Sequence, residues 1–96
     1  MEKINQANLD LQLAMNRSFK AMEPYMNIVE SEDGMLAMEM VSGAASANAS
    51  GTYSDKELEA AIQKASSMTL IPAEAFRIYA KSTNAMISCY KLEGGI

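Results

Sequence analysis

The chain is 96 residues long, 49% hydrophobic and net −4 in charge, with nine methionines, one cysteine and neither histidine nor tryptophan. That length holds one domain of ordinary size, and the apolar fraction excludes compositional disorder. The missing histidines remove the commonest acid/base group and metal ligand, and a lone Cys89 excludes an intramolecular disulfide and a zinc cluster.

In chain order, residues 3–22 read as a helix: Ile4, Ala7, Leu11, Ala14 or Met15, Phe19 and Met22 recur every three or four positions. Leu9 and Leu13 widen this stripe, as suits a helix touching two neighbours, and Pro24 ends it. Residues 25–41 admit two readings. Asp33-Gly34 can turn a β-hairpin, with Leu36, Met38 and Met40 alternating onto one face. Met, Leu, Ala and Glu are equally strong helix formers, and Leu36 and Met40 make an i,i+4 pair that favours a helix over 35–41.

Residues 42–52, SGAASANASGT, bring little packing area and read as a flexible connector, with an alanine-supported helix as the alternative. Ser54 and Glu57 have capping-box spacing and open a helix over 55–68, whose buried face is Leu58, Ala61, Ile62, Ala65 and Met68. Pro72 starts the last helix, 73–91, striped by Phe76, Tyr79, Ala80, Thr83, Met86, Ile87 and Tyr90; Gly94-Gly95 lies beyond it. The expected fold is mainly α, a small three- or four-helix bundle over 1–96, or α+β if 25–41 forms the hairpin.

Few large side chains supply the core, so self-association or a partner is expected to bury further area. Charge is uneven: residues 23–59 hold eight acids against Lys56 alone, about −7 net. Glu30, Glu32 and Asp33 precede the compact apolar cluster Met35, Leu36, Met38 and Met40. Unbranched methionines repack against irregular surfaces, so these seven residues form the candidate partner-binding site, matched to a protein with a basic surface. Functionally this points to a small acidic protein-binding module, an accessory or inhibitory factor of bacterial or phage type, with a homo-oligomer expected.

The competing reading is a nucleic-acid-binding regulator using the 55–68/73–91 helix pair, with Arg77 and Lys81 on phosphates. The inventory leans away from an enzyme and nominates no reaction. Cys89 has no nearby base to activate it and reads as a packing residue. No cofactor or metal is expected. The N-terminus lacks a long apolar core, so neither a secretory signal nor a membrane span is read there, and a cytoplasmic location is the expectation.

Overall fold

In a computed structural model, which describes residues 2–92, the chain is all-helical. Helix α1 (Glu2–Met22) passes through a 3₁₀ turn (Glu23–Tyr25) into the short α2 (Met26–Val29). Three long helices follow: α3 (Glu32–Ala49), α4 (Asp55–Thr69) and α5 (Ala73–Leu92). Ile4, Tyr90 and Lys91 lie outside the described side chains, and Gly94, Gly95 and Ile96 lie outside the described residues.

The core is built mostly from small residues. Phe76, Ile71 and Val41 are its largest fully buried side chains, surrounded by Ala37, Ala45, Ala65 and Ile62. Alanines let helix backbones approach closely, and each contributes little apolar area. Phe76 is therefore the central fixture of the fold.

The hairpin reading of 25–41 is corrected, because no strand forms among the described residues. The tetrapeptide Ser31-Glu32-Asp33-Gly34 starts a helix instead. The Ser31 hydroxyl accepts the Gly34 amide at 3.1 Å and donates to the Ile28 carbonyl, joining α2 to α3. Glu32 and Asp33 then sit in the first turn, where acidic side chains suit the helix macrodipole. Gly34 has a steric role. A Cβ there would overlap the Ile28 carbonyl and come within 2.7 Å of the Val29 Cα, so glycine lets the two helices touch backbone to backbone.

The connector reading of 42–52 is also corrected. Residues 42–49 continue α3, with Ala44 and Ala45 buried. The propensity of Ala44, Ala45, Ala47 and Ala49 and the close packing of the buried pair outweigh the small size of these side chains. Only residues 50–54 connect to α4, with Gly51 at φ 86°. Asn48 Nδ2 braces this turn by donating to the Tyr53 carbonyl and to Asp55 Oδ1. The Ser54–Glu57 capping box forms in both directions, as its spacing implies.

Helix α1 packs chiefly on α5. One neighbour buries one stripe: Leu11 and Ala14 are half-buried, Ser18 and Met22 fully so. Phe19 and Met15, expected in the core stripe, are instead 62% and 56% exposed. Leu9 and Leu13 also face solvent, so among the described residues the second neighbour that their pattern anticipates is absent. The α1–α5 seam is nonetheless specific, because Cys89 is buried in it and its thiol donates to the Ala7 carbonyl at 3.1 Å.

Candidate functional site

The displaced α1 residues border an apolar groove of ≈320 Å³ where α1, α2, α3 and α5 meet. Helix α1 contributes Met15, Phe19 and Met22, and α2 contributes Met26 and Val29. Met38 of α3 and Tyr79 of α5 complete it, with the Ser18 and Ser82 hydroxyls as its polar component. Ser82 Oγ donates to the Tyr79 carbonyl within its own helix, so that hydroxyl is already satisfied. Four of the nine methionines thus line a single depression. Their unbranched thioethers adapt to the shape of whatever enters.

A second groove of ≈560 Å³ lies between α3 and α4. It is larger: Met40 and Tyr53 stand with Gly43, Ala44, Ala47, Ala60 and Ala61 among Glu39, Glu57 and Lys64. An adjoining hollow shares Met40 and adds Leu36 and Met68. Five of the ten residues lining the α3–α4 groove are glycine or alanine and three are charged, whereas the α1–α2 groove presents Phe19, Tyr79 and four methionines together with no charged residue.

The candidate partner-binding residues are divided by the helical path of α3. Glu30, Glu32 and Asp33 stay exposed at the α2–α3 junction. Met35 and Leu36 are exposed on α3. Met38 is half-buried in the α1–α2 groove, while half-buried Met40 lines the α3–α4 groove with Leu36. The single cluster therefore becomes two surfaces, because residues 38 and 40 are about 200° apart around a helix. Met15, Phe19, Met22, Met26, Val29 and Tyr79 are apolar groove residues the sequence pattern did not single out for binding. The available signal was the excess width of the α1 apolar stripe.

Arg77 and Lys81 are not equivalent. Lys81 is exposed. Arg77 is held by two carboxylates: its Nε and Nη2 reach Glu59 of α4 at 3.0 and 2.7 Å, and its Nη1 reaches Glu74 at 3.1 Å. Hydrogen bonds from Arg77 and Gln63 hold the Glu59 carboxyl down from its ordinary 4.5 to about 2, and the same contacts push the Arg77 guanidinium further up. Arg77 thus works as a link between α4 and α5, and its charge is largely offset before any phosphate arrives.

Among the described residues, no group of three or more His, Cys, Asp or Glu side chains is gathered to hold a metal ion, and no helix is long and apolar enough to cross a membrane. Comparison with protein-family models, with curated proteins and with solved structures finds no match to this chain.

Proposed function

We propose that the protein is a protein-binding module, an accessory or inhibitory factor, whose α1–α2 groove receives the apolar face of a partner helix. The carrying observation is the outward-facing pair Phe19 and Met15 beside a depression lined by Met22, Met26 and Met38. A helix laid in a groove uses apolar anchors at i, i+3 or i+4 and i+7, and methionine linings accommodate such anchors without a unique shape. Exposed Glu30, Glu32 and Asp33 at the α2–α3 side favour a partner with basic residues beside its apolar stripe. The nucleic-acid alternative has less support, since Arg77 is occupied by Glu59 and Glu74.

The test is selection from a displayed library of amphipathic helical peptides against the immobilised protein. Recovered peptides should share the helical anchor spacing and bind with Kd of about 1–100 μM. Phe19→Asp should abolish that binding with helical content unchanged, because Phe19 is exposed. Failure to recover any such peptide, or recovery of peptides indifferent to Phe19→Asp, would refute the reading.

A further inference from the structure

We infer that α1 is a detachable element: it undocks from α5 while α2–α5 stays folded, and its docking is what assembles the α1–α2 groove. The undocking stands on α1 alone; its consequence for binding rests on the protein-binding reading of the groove.

The first argument is where the core lies. Among the described residues, α1 enters the buried apolar core only through its last residue, Met22, with Ala21 packed beside it. Every other buried member of that core belongs to α3, α4, α5 or the turn before α5. The chain beyond the 3₁₀ turn is tied in separately by half-buried Ile28 and Val29. Departure of α1 up to residue 20 therefore removes no buried member of the core.

The second argument is the chemistry of the α1–α5 seam. Ala7, Leu11, Ala14 and Ser18 make the covered side of α1, at intervals of four, three and four. On α5, Cys89 and Ser82 are buried, and the same spacing puts half-buried Ala85 and Ile78 on their face. Only Leu11 and Ile78 among these carry a large apolar side chain, so the seam removes little apolar area from water. Helix α1 depends on that packing, because most helical stability comes from tertiary contacts rather than propensity.

The third argument is the junction. The other three helix junctions are braced by side chains. The Ser31 hydroxyl accepts the Gly34 amide, Ser54 and Glu57 form the capping box, and the Ser66 hydroxyl donates to the Ile71 carbonyl at 2.6 Å. Between α1 and α2, neither the 3₁₀ turn nor α2 has a side-chain cap, and the turn buries none of its residues. Pro24 also withholds an amide donor there. Local opening starts where buried apolar contacts and braces are fewest, and here both are fewest at α1.

Undocking takes Met15, Ser18 and Phe19 out of the groove wall and bares the Cys89 thiol, which is 5% exposed while α1 is docked. A groove ligand binds only the docked state, so it holds α1 down.

Amide hydrogen exchange by NMR and alkylation of Cys89 by iodoacetamide, both on the full chain in low urea, test this together. Amides of residues 8–18 should exchange at least about a hundredfold faster than those of Val41 and Phe76, with a weaker urea dependence. Cys89 alkylation should follow the urea dependence of the α1 amides. A helical peptide recovered on the groove should slow both processes by a common factor. Equal protection and equal urea dependence across α1, Val41 and Phe76 would overturn the undocking, as would alkylation of Cys89 while α1 stays as protected as the core. A Phe19-dependent peptide that slows neither process overturns the consequence for binding. If no peptide is recovered, the proposed function falls and the exchange pattern still decides the undocking.

Discussion

Gly34→Ala and Gly43→Ala, two changes of identical chemistry in the same helix, should move stability in opposite directions. At Gly34 the new methyl meets the backbone of α2, with the Ile28 carbonyl carbon and the Val29 Cα both at 2.7 Å. Backbone cannot rotate away as a side chain can. Relief requires α2 to lift, which strains a packed contact by about 1–3 kcal/mol and loosens the Ser31 cap, worth about 1 kcal/mol. Better helix propensity returns about 1 kcal/mol, leaving a net loss of about 2 kcal/mol. For a domain of this size that lowers Tm by about 8–16 °C. At Gly43 nothing lies within 4 Å of the added methyl, so only the propensity gain of up to about 1 kcal/mol remains. Urea unfolding followed by circular dichroism at the helical band reads both variants. If Gly34→Ala proves as stable as the native chain or Gly43→Ala, α2 does not rest on α3 as described.

Three further perturbations probe the rest of the fold. Phe76→Ala empties the centre of an alanine-rich core and should cost about 3–5 kcal/mol, read as a lower urea midpoint or outright loss of cooperative unfolding. Leu70 caps α4 at φ 64° and is 86% exposed; Leu70→Gly relieves the left-handed strain and should stabilise by about 1 kcal/mol in the same assay. Because the folded Glu59 pKa lies below its ordinary 4.5, the Glu59–Arg77 link contributes above pH 4.5 and fades as pH falls toward about 2. Glu59→Gln should therefore melt slightly below the native chain at pH 7, with the gap closing through that window. The effect is small, since both side chains are solvent-exposed.

Much of the architecture was legible in local signals. Pro24, Pro72 and the Ser54–Glu57 box mark helix ends by their own hydrogen-bonding chemistry, and the α4 face follows from its periodicity. Residues 31–34 were ambiguous because Asp-Gly serves a hairpin turn and a helical first turn alike; the deciding contact, Gly34 against α2, is tertiary. Residues 42–49 looked like a connector because small side chains carry no periodic signal when their role is close approach. The groove was hidden for a related reason. Phe19 and Met15 fit the α1 stripe, and they stay outside because α1 packs chiefly on α5, which covers a different side of that helix. The Glu59–Arg77 link joins residues 18 apart and has no local signature.

The nine methionines provide the most direct test of the claim that the α1–α2 groove is the recognition surface. In a methionine-methyl-labelled sample, the ¹H–¹³C spectrum resolves each thioether methyl while a selected helical peptide is added. Binding in the groove predicts that Met15, Met22, Met26 and Met38 shift or broaden together, with Met35, Met40 and Met68 unmoved. Shifts confined to Met35, Met40 and Met68, with the groove methionines silent, would contradict it.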